Sequence, residues 1–381
     1  MTSLFPLTPP GGDHAPPLIE RIRRAALVAG VAGIVLCVLG VFISPAAFFR
    51  AYLYAYMVWL GIPLGAAAIL MIHHLTGGRW GAVARRTLEA AARTLPVAAL
   101  LFLPLLLGIQ HLYIWSHPDA AAADEGIASK RGYLNVPFWI LRAIVYFALW
   151  YGLVFLLTRW SEREGRAGDP ADRARLVALS GPGLILYVLS MTAAAVDWVM
   201  SIDPHWYSTI FGLILVVGQA LSALAVAILV LALLSDHPSI STILRHDDFH
   251  DLGNLFMTAI MLWAYAQFSQ FLIVWMGNIA EETPFYVARL AGVWGALGVL
   301  LILFHFALPF LLLLSRVTKR TVRIIAAVAA GVLLMRFVDL AWIVIPFANH
   351  VPLTTPDAAA PSAPALTGLH WLDFVTPVAI G

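Results

Sequence analysis

The chain has 381 residues, 61% of them apolar and only 12% charged, with a mean hydropathy of +0.87. Ordinary globular domains carry roughly 25% charged residues, so this composition excludes a typical soluble enzyme and places the chain among membrane proteins. The formal net charge of +2 gives no basic surplus for nucleic acid, and the single cysteine, Cys37, excludes an intrachain disulfide, a C-x-x-C-H haem attachment and an Fe–S cluster held by this chain alone.

Any redox centre must then belong to a partner or be a small lipid-soluble carrier. The first residues, "MTSLFPLTPPGGDHAPP", are rich in Pro and Gly and lack the basic-then-apolar pattern of a cleavable signal. Residues 1–24 read as an N-terminal arm on the cytoplasmic side.

A bilayer core needs about 20 apolar residues per helix. Runs of that kind lie near 25–43, 52–72, 95–115, 138–157, 176–200, 209–234, 252–276, 291–314 and 322–346, which predicts nine spans. The closing "LHWLDFVTPVAIG" begins another apolar segment and reads as the start of a tenth helix, in which the given chain stops. The expected division is helix one at 25–51, two helical groups at 52–200 and 201–346, and a loop with the start of the tenth helix at 347–381.

Lys and Arg in short loops set orientation. With the N-terminus cytoplasmic, 17 fall at 21–24, 79–93, 159–175, 245 and 316–323 on that face. The opposite loops hold four, namely Arg50, Lys130, Arg131 and Arg289, while Arg142 and Arg336 lie inside spans. The loop 116–137 is therefore expected outside, together with "VDWVMSIDPHWYS" (196–208), "GNIAEETPFY" and a Pro/Ala loop at 347–366. In the turn at 196–208, Trp198, Trp206 and Tyr207 suit an interfacial belt, and Pro204 separates two helices.

Ionisable residues within spans are functional candidates by default. Arg336 falls near the middle of helix nine with Asp339 one turn further out, a spacing that puts both on one face. His305 lies near the middle of helix eight. Tyr265, Gln267, Ser269 and Gln270 occupy the outer half of helix seven, and Gln219 lies in helix six. Asp197 and Arg142 sit at similar depth near the outer surface, with Asp203 and His205 in the turn itself.

Such groups, joined by water, can relay protons, because each can accept one and release another; Arg336–Asp339 can equally be a structural pair. His305 has no second mid-span histidine opposite it, so neither a membrane haem nor a metal is expected on this chain. No Walker A, Rossmann or nucleophile-elbow motif stands where it would work.

The runs "DWVMSIDPHWYSTIFG" (197–212), "GNLFMTAIMLWAYAQFSQFLIVWMGN" (253–278) and "HFALPFLLLLSR" (305–316) resemble the NrfD/PsrC-like integral membrane family, and within it the ActF-type subunits of bacterial alternative complex III. The resemblance implies an all-α fold of ten helices: two four-helix bundles, helices two to five and six to nine, flanked by helices one and ten. It also implies a quinol:electron-acceptor oxidoreductase complex in the bacterial inner membrane. Its partners would be a sister NrfD-like subunit (ActC), multihaem cytochrome c subunits, an Fe–S protein and lipids, with haem c and Fe–S clusters held by those partners.

Quinol-handling members carry a pattern like H-S-x-x-S-x-D-F-A-x-S-x-x-P-G-W-H-S-T-I-F. Asp197, Ser201, Pro204, Trp206 and Ser208 to Phe211 match it, whereas the two histidines fall at Met191 or Thr192 and at Tyr207. The expected role is a non-catalytic subunit that anchors partners and conducts protons along Asp197, Asp203, His205, Gln267, Ser269, His305, Arg336 and Asp339. One alternative is a quinol site at His111, Arg142, Asp197, Trp206 and Tyr207. Another is a secondary transporter with a midplane site at Arg336, His305 and Gln267.

Overall fold

A hydrocarbon layer offers no partner for a free N–H or C=O, so a long apolar run crosses it as a helix bonded within itself. The computed structural model describes residues 17–167, 170–346 and 368–381, and these contain helix but no strand. Nine helices among the described residues are long and apolar enough to span a membrane. They are α1 (Glu20–Ile43), α2 (Pro45–Thr76), α3 (Arg79–Leu107), α4 (Val136–Arg166), α5 (Pro170–Ile202), α6 (Phe211–Leu234), α7 (His246–Gly277), α8 (Gly292–Leu314) and α9 (Val322–Val344). A short helix, α10 (Leu372–Ile380), follows. The chain is built as an all-α, multi-pass membrane protein. Most of the expected N-terminal arm, residues 1–16, and the Pro/Ala loop, 347–367, lie outside the described residues.

Proline sets the places where helix limits differ from a simple apolar count. Helix one, expected to reach residue 51, ends at Ile43; Ser44 is extended (φ −150°) and Pro45 opens α2. A proline fits the first turn of a helix, where its missing N–H has no role. In α3, Pro96 and Pro104 divide the span into Arg79–Ala92, Leu95–Leu101 and Leu103–Leu107. In α8, Pro309 cannot donate to the carbonyl four residues back, that of His305. The helix widens there into a π-helical stretch, Leu301–Ala307.

α2 is the most enclosed span, with 89% of its apolar window buried, against 17% for α1. It packs on α3, α5, α6, α9 and α10; α6 in turn meets α5, α7 and α9, α4 lies on α5, α8 on α9, and α1 on α10. Small residues permit the closest seam. A Cβ on Gly65 would stand 2.0 Å from the carbonyl oxygen of Gln219, so α2 and α6 touch backbone to backbone there. α10 is tied to α2 by Trp59 donating to the Pro377 carbonyl (2.8 Å) and by a buried Arg50–Asp373 pair (3.3 Å).

Candidate functional site

Residues from four helices meet around Asp339. Arg336, one turn earlier on α9, donates through Nη1 to Oδ2 of Asp339. Trp263 Nε1 donates to the same oxygen at 3.1 Å, and Gln267 Nε2 donates to Oδ1 at 3.1 Å. Trp263 and Gln267 are four residues apart on α7, so both face Asp339. Asp339 is fully buried and Arg336 is 2% exposed.

The guanidinium of Arg336 rests on α6 at Gly218, where a Cβ would lie 2.2 Å from Nη2. His305 adds the fourth helix. It is fully buried in the π-helical stretch, its ring edge-on to Trp263 with centroids 4.2 Å apart. Neither of its ring nitrogens bonds to a protein atom, and neither does Nε of Arg336. Buried polar groups are nearly always hydrogen-bonded, so three such nitrogens in one cluster mark a place suited to bridging water. π-helical turns are rare and concentrate at functional sites.

Asp197 has a separate set of partners. Arg142 on α4 grips it with a two-pronged bond, Nε to Oδ2 at 2.7 Å and Nη2 to Oδ1 at 2.9 Å, and Tyr146 donates to Oδ2 at 2.8 Å. Trp139 and Ser201 donate to its backbone carbonyl at 2.8 and 2.6 Å. Arg142 also donates to the Tyr133 carbonyl at 3.0 Å, and its guanidinium lies 3.9 Å from the Tyr133 ring centroid and 4.3 Å from that of Phe138. Burial first, then the Asp197 charge, pushes the Tyr133 phenol up to about 12.

The turn after α5 is fastened to the loop before α4. His205 Nε2 pairs with Asp124 at 2.9 Å, and Lys130 donates to the Pro204 carbonyl at 2.5 Å. Asp124 also caps the short helix Glu125–Lys130, accepting from the backbone N–H groups of Gly126 (2.8 Å) and Ile127 (3.2 Å). Burial opposes its charge, but the Ile127 N–H, the His205 imidazole and the Gly126 N–H outweigh it and hold the carboxyl below its usual range. Asp203 accepts from the His205 N–H at 3.0 Å.

Of the proposed proton-path residues, Gln267, His305, Arg336 and Asp339 come together. Asp197, Asp203 and His205 belong to the α4–α5 side, and the Asp197 and Asp339 sets share no residue. Ser269 is half-buried on α7, while neighbouring Gln270 receives Ser208 at 2.5 Å. The alternative quinol set is also divided. Arg142 and Asp197 are paired, but His111 stacks on Phe49 (5.3 Å), Trp206 stacks on Phe285 (4.5 Å), and Tyr207 is exposed.

Sequence reasoning missed Trp263 and Tyr146, each four residues from a polar residue it had singled out on the same helix. It also missed Arg289, which donates to the carbonyls of Trp342 (2.9 Å) and Ile343 (2.6 Å) at the end of α9. A buried cluster near the basic loops was likewise unforeseen: Arg85 donates to Glu89 (3.0 Å), Ser161 (3.1 Å) and Glu164 (2.6 Å). No model of a known protein family matches the chain, and no curated protein matches it.

Proposed function

We propose that the chain is an integral membrane subunit of a quinol:electron-acceptor oxidoreductase of the alternative complex III type, which anchors its partners and conducts protons through its interior. The observation that carries the reading is the buried cluster of Arg336, Asp339, Gln267, Trp263 and His305 within the span layer. A charge at mid-membrane costs at least about 2.5–3.5 kcal/mol on insertion scales, so a fold that keeps one there gains something by it. An imidazole with both nitrogens free of protein bonds, packed on the Trp263 indole that itself donates to the Asp339 carboxylate, is an arrangement that lets a proton pass through bridging water.

We read α2–α5 and α6–α9 as two four-helix bundles flanked by α1 and α10. The packing of α2 on α3 and α5, α4 on α5, α6 on α7 and α9, and α8 on α9 supports this. The 17-to-4 division of Lys and Arg supports a cytoplasmic N-terminus, and the resemblance to NrfD-like subunits supports a bacterial inner membrane. The electron carriers belong to partners: a sister NrfD-like subunit, multihaem cytochromes c and an Fe–S protein. The resemblance of 197–212, 253–278 and 305–316 to NrfD-like subunits supports that assignment.

Affinity purification of the tagged chain from its native membrane tests the reading. The expected eluate contains c-type haem absorbance and oxidises quinol, and the double replacement Arg336→Leu with Asp339→Leu, which leaves no buried charge unpaired, slows proton release at constant haem content in the reconstituted complex. Elution as a single protein without haem or quinol oxidation would overturn the assignment to such a complex.

A further inference from the structure

Between α3 and α4, at the basic end of the protein, a groove of about 330 Å³ opens on the surface. Pro96 lines the groove from the α3 side. The regular turn of α3 stops at Ala92 and resumes at Leu95, leaving the pyrrolidine ring on one wall of the groove. The other wall is one stripe of α4, with Tyr151 and Phe155 toward the membrane interior and Arg159 and Glu162 toward the loops. At 1.5 Å per residue the stripe from Tyr151 to Glu162 runs about 16 Å, long enough for the glycerol and upper acyl chain of one lipid.

The groove is apolar at one end and charged at the other. Tyr151 and Phe155 are stacked at 6.2 Å and exposed, an apolar surface that an acyl chain can cover. At the charged end Arg93 from α3 and Glu162 from α4 form an ion pair across the mouth, both side chains partly exposed. Arg159, three residues before Glu162, is exposed, its guanidinium 5.7 Å from the Phe155 ring centroid. Two guanidinium groups and one carboxylate leave a net charge of +1, and the carboxylate is already engaged.

We propose that this groove is a binding site for an anionic glycerophospholipid with a singly charged headgroup, its phosphate held by Arg159 and Arg93 and one acyl chain lying between Pro96 and the Tyr151–Phe155 rings. A zwitterionic lipid is disfavoured because its ammonium would have to draw Glu162 away from Arg93. The site is distinct from the Asp339 cluster and does not depend on the complex in which the chain works.

The test is retention of phosphatidylglycerol against phosphatidylethanolamine, followed by native mass spectrometry of the detergent-purified protein in whatever assembly it elutes. Basic residues at a membrane surface contribute about fivefold each to anionic lipid affinity. Arg159→Gln is therefore expected to lower phosphatidylglycerol retention about fivefold. Glu162→Gln, which frees Arg93, is expected to raise it, and Arg23→Gln, on a different helix, to leave it unchanged. All these side chains are partly or fully exposed, so thermal melting serves as the check that each variant is folded. Equal retention by wild type and both groove variants would overturn the proposal. So would phosphatidylethanolamine held as tightly as phosphatidylglycerol, or a partner protein found seated in the groove.

Discussion

Gly218 of α6 lies directly against the guanidinium of Arg336, so that a methyl group there would stand 2.2 Å from Nη2. The absent side chain is what lets a buried cation sit between α6 and α9. Gly218→Ala should force Arg336 off Asp339 or push α6 outward, at an overpacking cost of about 1–3 kcal/mol. Gly331→Ala on α9, with nothing within 4 Å of the new methyl, is the control and should leave stability unchanged or slightly raised. Thermal unfolding of the two variants in detergent, side by side, checks this; equal melting temperatures would remove the steric argument.

Arg336 and Asp339 need each other more than the fold needs either. Removing one partner of a buried pair costs about 3–5 kcal/mol, whereas replacing both with apolar groups is often nearly neutral. Asp339→Leu alone should therefore lower stability sharply, and Arg336→Leu with Asp339→Leu should recover most of the loss. The double variant should at the same time lose the proton conduction proposed above. Recovery of stability without loss of proton movement would leave the pair a purely structural role.

The Arg142–Asp197 fork makes a different demand. Depth alone suggests that Asp197, near one end of its helix, would tolerate Asn. The two-pronged contact and the Tyr146 donor argue otherwise, because Asn offers one acceptor oxygen where the fork uses two. Asp197→Asn should cost about 2 kcal/mol or more. Arg142→Lys should also destabilise, since an ammonium cannot span both oxygens and lacks the flat face laid on Tyr133. A double-mutant cycle across the two positions measures the coupling, and a coupling near zero would contradict the geometry.

The spans were readable from the sequence because the hydrocarbon thickness dictates about 20 apolar residues whatever the neighbours are. Arg336–Asp339 was readable for a related reason: both residues lie on one helix, so their spacing of three fixes their geometry. Arg142–Asp197 was not. Equal depth says nothing about which way two helices are rotated, and that rotation is set by packing of α4 on α5. Arg50–Asp373, with partners more than 300 residues apart in the chain, was hidden for the same reason. Trp263 and Tyr146 escaped notice because aromatic residues are abundant here and only structure separates those that donate to a carboxylate from those that fill space.

Asp124 gives a pH prediction outside the spans. Its carboxyl is held below the ordinary value of 3.8, chiefly by the Ile127 N–H once burial has been overcome, and then by His205 and the Gly126 N–H. A depressed folded pKa means that the ionised form stabilises the fold. The contribution is fully present above 3.8 and is lost as pH falls through the lower folded value. The helix Glu125–Lys130, which Asp124 caps, should therefore loosen in that acid window. Amide hydrogen exchange at Gly126 and Ile127, corrected for the intrinsic rate at each pH, reads this directly. Asp124→Asn keeps an N-cap acceptor but cannot titrate, so its protection should be weaker and flat across the window. Asp124→Ala removes the cap and should be unprotected throughout. Wild-type protection no stronger than that of Asp124→Asn at pH values above 3.8, where the carboxyl is ionised, would show that the Asp124 charge does not hold this loop.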